Sequence, residues 1–295
     1  MSLVRMFGKG PRRGAAAAGV ALALAAAWHA ASVAALQVPG QLELDQVSDY
    51  SHVKVTREPR TRTLWFVRDN GEEVVESRLD LERPDNLLVE YTRFMFLSYV
   101  FRPEPEKALI VGLGGGSMVH FLKAHDPDLK VDVVEIDPMI ASIADRYFGV
   151  RTGGNVDVKV TDGLAYLRDS DAKYDVIYMD AFLRPSAGTD TTGVPLHLKT
   201  LAFYDQVKKR LNPDGVVVFN INPHLSVRQD IQTIREAFPH TYVFSLSAGS
   251  GYVVVASTAE EAKTPTAVSA EAARLDRRFK APFSFRSMAG RLGRR

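Results

Sequence analysis

The sequence predicts an α/β fold: a doubly wound, mostly parallel sheet preceded by a small N-terminal antiparallel β subdomain. Three observations carry that expectation. Between Ala108 and Ile221, continuous apolar runs alternate with segments of helical spacing, the pattern of a parallel sheet covered on both faces. The last two strand-like runs, Tyr242–Leu246 and Tyr252–Ala256, are joined only by Ser247–Gly251, too short for a crossover helix, so they form an antiparallel hairpin at one sheet edge. Upstream, short alternating runs flank Asp69-Asn70-Gly71, a hairpin-turn signal.

The alternating region extends from Leu42 to about Val75 and includes Ser51–Val55 and Thr63–Val67. Trp65 and Phe66 read there as hairpin core. Leu87–Phe101 spaces Leu88, Tyr91, Met95 and Tyr99 as a helix does, and Pro103 stops it. Ala108–Leu113 then reads as a strand and Ser117–His125 as a helix. Val131–Ile136 is a strand, and Pro138–Phe148 a helix with proline in its first turn, where its missing N–H costs nothing. Val156–Val160 (strand), Gly163–Arg168 (short helix) and Val176–Met179 (strand) follow. After the loop Ala181–Pro195 come a helix over Leu198–Leu211, a strand over Val216–Ile221 and a helix over Val227–Phe238. The expected organisation is a targeting segment at 1–40, the β subdomain at 41–80, the catalytic α/β domain at 81–258 and a basic tail at 259–295.

Of the 295 residues, 46% are hydrophobic and 24% charged, which excludes a multi-span membrane protein and a disordered chain. With no cysteine, disulfides, thiolate metal sites and cysteine nucleophiles are excluded as well. The net charge of +2 hides an uneven distribution: residues 1–42 carry +4 and residues 274–295 carry +7, leaving −9 between them. An acidic body argues against a nucleic-acid surface and suits a cationic substrate. A basic start (Arg5, Lys9, Arg12, Arg13) precedes the Ala-rich run Ala15–Ala35, which is expected to be an export signal or a membrane anchor; a transit peptide, or a cytoplasmic protein with an unstructured tail, is the alternative. Residues from about Glu260 onward read as a solvated helix and a frayed basic end.

The candidate site lies at the C-terminal tips of the parallel strands, where sheets of this kind bind ligands. Gly112-Leu113-Gly114-Gly115-Gly116 joins the first strand to its helix and lets backbone N–H groups approach a ligand closely. The next strand ends in Glu135, 21 residues beyond Gly114, where a carboxylate accepts both ribose hydroxyls of a nucleoside. Asp137 reads instead as the cap of the helix starting at Pro138. The third strand ends at Asp162-Gly163, with Asp162 placed to accept from an adenine amino group, and the fourth ends at Asp180.

Assembled in this order, the residues resemble the spermidine synthase (polyamine aminopropyltransferase) family. The resemblance covers roughly Leu44–Ser257. It rests on Gly114-Gly115-Gly116, Val134–Asp137, Asp162-Gly163, Tyr174–Asp180, Phe203-Tyr204 and Leu211–Gly215. It implies a class I AdoMet-dependent transferase (Rossmann-like) fold and a homodimer. It further implies decarboxylated S-adenosylmethionine, or S-adenosylmethionine itself, as cosubstrate and a small-molecule amine such as putrescine as acceptor. Gly112, Gly114, Gly116, Ser117, Glu135, Asp162 and Gly163 are then expected to bind the cosubstrate. Asp180 is the expected base; Tyr204 or His197, both following the loop Ala181–Pro195, is expected to line the acceptor pocket. A base is needed because an ammonium has no lone pair with which to displace a thioether.

Departures fall on the amine side. Ser117 stands where the family has an acid for the aminopropyl amine, Leu183 replaces a second acid, and Arg184 adds positive charge. Ser51 and Val89 stand where the family shows Gln and His. A neutral Ser117 would admit S-adenosylmethionine itself, so methyl transfer to an unknown substrate remains a second reading. A non-catalytic nucleoside- or polyamine-binding protein is a third, and an export signal would favour it because the cosubstrate is made in the cytosol. The histidines show no metal-ligand spacing, so no metal is expected; His197, like Tyr204, follows the loop Ala181–Pro195, which is expected to act as a lid. Ser117 has no His–Asp arrangement to suggest a hydrolase.

Overall fold

The computed structural model describes residues 39–293; the expected export signal or anchor, apart from its last two residues, and Arg294–Arg295 lie outside them. Four strands, β1 (Gln41–Val47), β2 (His52–Arg57), β3 (Thr61–Val67) and β4 (Glu73–Asp80), form an antiparallel meander. The Asn70-Gly71 turn joins β3 to β4 as its sequence dictates, with Gly71 at φ +82°. The inner face of this sheet, Val53, Val55, Leu64 and Leu79, packs on Ile140, Ile143 and Phe148. That contact seats the β subdomain over the Gly-rich turn and brings Ser77 to hydrogen-bond Gly115 N (2.9 Å).

Helices α1 (Glu90–Met95) and α2 (Ser98–Phe101) occupy the segment expected as one helix. The break falls at Phe96 and Leu97, whose N–H groups bond the carbonyls three residues back, Arg93 and Phe94. Beyond it the α/β pattern follows expectation: β5 (Lys107–Val111), α3 (Ser117–His125), β6 (Lys130–Glu135), α4 (Pro138–Phe148), β7 (Val156–Val160), α5 (Gly163–Asp169) and β8 (Tyr174–Met179). Asp137 caps α4, accepting from Met139 N at 2.9 Å. A 3₁₀ turn over Leu196–Lys199 precedes α6 (Leu201–Lys209), capped by Thr200, so the expected helix over Leu198–Leu211 is shorter than its periodicity. Then come β9 (Leu211–Ile221), α7 (Val227–Ala237), β10 (His240–Ser245) and β11 (Tyr252–Ser257).

The seven strands run in the order β10-β11-β9-β8-β5-β6-β7. β5 through β9 are mutually parallel, while β11 is antiparallel to both β9 and β10, the expected edge hairpin. One face is covered by a core including Phe96, Tyr99, Phe121 and Phe244, the other by one including Leu167, Val207, Ile231 and Ile234.

The C-terminal segment corrects its expected reading as a solvated tail. α8 (Pro265–Phe279) buries Val268, Ala272, Leu275 and Phe279, and α9 (Phe285–Ala289) buries Phe285, Met288 and Ala289, all in the first core. Asp276 ties the two helices by accepting from Ser284 Oγ (3.0 Å) and Phe285 N (2.5 Å). Arg278 lies over the Tyr99 ring at 5.4 Å. The 4-3-4 apolar spacing marks one helical face, and the basic residues around it occupy the others. No helix among the described residues is long and apolar enough to cross a membrane.

Candidate functional site

The parallel strands end side by side along one sheet edge, and their tips build the site. Gly112, directly after β5, has φ +97°, and a Cβ there would stand 2.1 Å from the Asp180 carbonyl oxygen. Glycine is therefore required if the β5 and β8 exits are to pack this closely. Glu135, at the tip of β6, accepts from Leu113 N and from Asp137 N, both at 2.9 Å. It braces the Gly-rich turn, and each carboxylate oxygen keeps a second lone pair for a ligand. Asp162 caps α5 through Ala165 N (2.9 Å). Asp180, after β8, accepts from Tyr91 Oη (3.1 Å) and Asn220 Nδ2 (2.9 Å).

These tips line a cavity of about 70 Å³ shared by Gly112, Gly114, Glu135, Asp162, Gly163 and Asp180. The β subdomain closes it with Tyr50, Ser51, Phe66 and Glu76, and the loop after β8 with Phe182 and Leu183. A larger cavity of about 300 Å³ adjoins it, sharing Ser51, Phe66, Glu76, Phe182 and Leu183 and adding Val89, Glu90, Tyr91 and Asn220. The loop over 181–195 lies shut across both: Leu183 N bonds Gly193 O (2.8 Å), Arg184 N bonds Tyr50 O (2.9 Å), and Arg184 Nε bonds Asp69 Oδ1 (2.5 Å). The positive charge of Arg184, expected to repel a polyamine, is thus answered by Asp69.

Three of the carboxyls that line this cavity are held above their ordinary range. Desolvation pushes Asp180 up to about 6, against the opposing hydrogen bonds from Asn220 and Tyr91. Glu76 rises to about 8, first through desolvation and then through the charges of Asp180 and Glu135. Burial also raises Glu135, whose backbone hydrogen bonds pull the other way. The Tyr91 hydroxyl is raised by burial and by the Asp180 and Glu76 charges, so it stays a donor.

Three expected residues lie elsewhere. Gly116 and Ser117, at the start of α3, line a small cavity of about 10 Å³ that shares Glu76, Gly112, Leu113 and Asp180 with the main one; Gly116 packs on Val150, and Ser117 Oγ is buried without a partner. They stand behind Glu76, Gly112 and Asp180, outside the lining of the main cavity. Tyr204 is buried on the other side of the sheet edge, its ring 5.4 Å from Phe219 and 6.0 Å from Phe238. It faces that core because α6 packs its Phe203, Tyr204 and Val207 face inward. His197 does line the main cavity.

Sequence reasoning passed over Glu76, Tyr91, Asn220 and Phe66. Glu76 reads as a solvent-face residue of an alternating strand and Tyr91 as helix core. Phe66 packs on the subdomain core as expected and also lines both cavities. Asn220 carried a usable signal, a lone amide inside the apolar run Val216–Ile221.

Asp190, His224 and Asp230 bring ligand atoms within 4.8 Å of one another. The Lys199 ammonium sits among them, paired with both carboxylates, and fastens the loop to α7. With its own cation in place, this cluster reads as a latch.

The model of the spermine/spermidine synthase domain matches residues 91–271 of this chain. A polyamine aminopropyltransferase of Vibrio vulnificus is 31% identical over 217 residues, covering 72% of this chain and 70% of that protein. A spermidine synthase solved with the transition-state analogue AdoDATO shares the fold at TM-score 0.66 and 19% identity, over 86% of each chain. Human methyltransferase-like protein 13, solved with SAH, superposes at TM-score 0.60 with 25% identity, over 66% of this chain and 95% of that one.

Proposed function

This chain belongs to the spermine/spermidine synthase family, and from that membership we propose that it transfers the aminopropyl group of decarboxylated S-adenosylmethionine to a small-molecule amine. One observation carries the chemistry: a desolvated carboxylate, Asp180, lines the nucleoside cavity and is oriented by Tyr91 and Asn220, which line the larger cavity beside it. Its value of about 6 lies near working pH, where a general base is effective.

In this reading Asp162 faces the adenine, Glu135 the ribose and Gly112–Gly114 the sulfonium end, an order that follows the strand order β7-β6-β5-β8. The acceptor enters the larger cavity as an ammonium. Asp180 takes its proton, and the freed lone pair attacks the methylene next to the sulfonium. The C–N bond forms as the C–S bond breaks, and the bonding pair returns to sulfur as a neutral thioether. The shut loop excludes water from the step.

Calorimetric titration of the full chain with decarboxylated S-adenosylmethionine and, in parallel, with S-adenosylmethionine tests this reading. Preference for the decarboxylated form supports it, and equal or reversed preference sinks it. Methyl transfer is the second reading, favoured by the likeness to a methyltransferase-like protein and by the missing second acid at Leu183.

For residues 1–40, we propose export or membrane anchoring, supported by the basic start and the apolar run Ala15–Ala35. Cell fractionation with mass measurement of the mature N-terminus tests it; an intact chain found only in the cytosol overturns it.

A further inference from the structure

We propose that Glu76 is the carboxylate that receives the ammonium of the donor's aminopropyl chain, and that it thereby selects decarboxylated S-adenosylmethionine over S-adenosylmethionine. The proposal rests on the aminopropyl-transfer reading above. Four observations converge on it. Glu76 reaches down from β4 over the Gly-rich turn, its Oε1 3.3 Å from where a Cβ on Gly114 would stand. It lines the main cavity, the larger one adjoining it and the small one beside them, so it stands at their junction. If adenine and ribose sit at Asp162 and Glu135, the strand order carries the rest of the donor past Gly114, directly beneath Glu76. Ser117, where the resemblance locates the missing acid, does not line the main cavity at all.

The fourth observation is that Glu76 has no counter-charge of its own. Among the described residues none donates a hydrogen bond to it or forms an ion pair with it. The neighbouring charges are already answered: Arg68 pairs with Glu72, Arg184 with Asp69, and Glu90 with Arg291. The titratable groups that face Glu76 from other elements are Asp180, Glu135 and Tyr91, none of them cationic. A desolvated carboxylate without a partner is costly and is relieved by a cation. A primary ammonium supplies one. S-adenosylmethionine would bring its own carboxylate to the same place, where the ionised Glu76 needed to pair with the ammonium, together with Asp180, would repel it.

The carboxyl's rise to about 8 means that it holds a proton at neutral pH in the empty protein. Binding an ammonium must expel that proton. The test is calorimetry at pH 7 in buffers of different ionisation enthalpy, with decarboxylated S-adenosylmethionine, S-adenosylmethionine and methylthioadenosine, which has the nucleoside but no amine. The wild type should prefer the decarboxylated donor at least tenfold and release protons on binding it. Glu76→Gln should lose that preference and most of the proton release, while its affinity for methylthioadenosine stays within twofold. Glu76→Asp, which keeps the charge, should retain part of the preference and guards against a folding defect in the amide variant. Preference and proton release unchanged in Glu76→Gln would overturn the assignment of Glu76 and leave aminopropyl transfer standing. A wild type with no preference for the decarboxylated donor would overturn both.

Discussion

The Tyr91 hydroxyl donates to Asp180 Oδ2 at 3.1 Å, joining the first helix after the β subdomain to the tip of a central strand 89 residues later. Its hydroxyl, kept protonated by burial and by the acids around it, lowers the proton affinity of Asp180 against the desolvation that raises it. Tyr91→Phe removes that donor. The acid limb of the pH–rate profile should move upward from about 6, and kcat at pH 7 should fall several-fold with the donor's affinity unchanged. A profile that does not move would show that Tyr91 does not tune the base.

Asp180→Asn preserves the shape of the group and its place beside Asn220 but cannot accept a proton. Turnover should fall by about 10²–10⁴, the usual worth of a positioned general base. Nucleoside binding, measured with methylthioadenosine, should survive. Wild-type turnover in this variant would remove Asp180 from the mechanism.

Stability of the unliganded protein should fall as pH rises. Glu76 keeps its proton in the folded state up to about 8, whereas a glutamate in the unfolded chain releases it near 4.5. The folded state therefore binds more protons across that window. The contribution is complete below about 4.5 and is lost as pH rises through about 8. Asp180 and Glu135, also raised, act in the same direction. Glu76→Gln should raise Tm at pH 8, at about 2–4 °C per kcal/mol for a chain of this size, and flatten its pH dependence. Thermal scans from pH 5 to 9 check both.

Leu275→Ala, on the buried face of α8, should cost about 2–5 kcal/mol in denaturant unfolding. Arg277→Ala, on the same helix and outside that face, should cost less than about 0.5 kcal/mol. Equal and small effects would return the C-terminal segment to the solvated tail its charge suggests.

The strand-tip acids were legible because each depends on local sequence alone. An apolar run ending in Glu135 or Asp180, or the alternating Val156–Val160 before Asp162, places that acid at the carboxyl edge whatever surrounds the sheet. Gly112 was legible for a related reason, since a strand must turn tightly there into its helix. Tyr204 and Ser117 misled because a motif gives a residue's place in the chain and not the direction of its side chain. α6 turns Tyr204 into the core on Phe219 and Phe238, and Ser117 lines only the small cavity behind Glu76 and Asp180. The C-terminal helices were hidden by eight basic residues, although Val268, Ala272, Leu275 and Phe279 already spelled one apolar face.

The chain's periodicities by themselves determined the doubly wound sheet, its edge hairpin and the row of acids along one edge, because hydrophobic spacing and turn chemistry act over a few residues. Only the tertiary structure decided what stands opposite that row. Glu76 belongs to a strand of the small sheet whose outward-facing pattern is ordinary. It became part of the site when Val53, Val55, Leu64 and Leu79 buried themselves on α4 and lowered that sheet over Gly114. Desolvation and the proximity of Asp180 and Glu135 then made a surface-type glutamate into a proton-holding group, and both effects depend on long-range packing that no local pattern encodes.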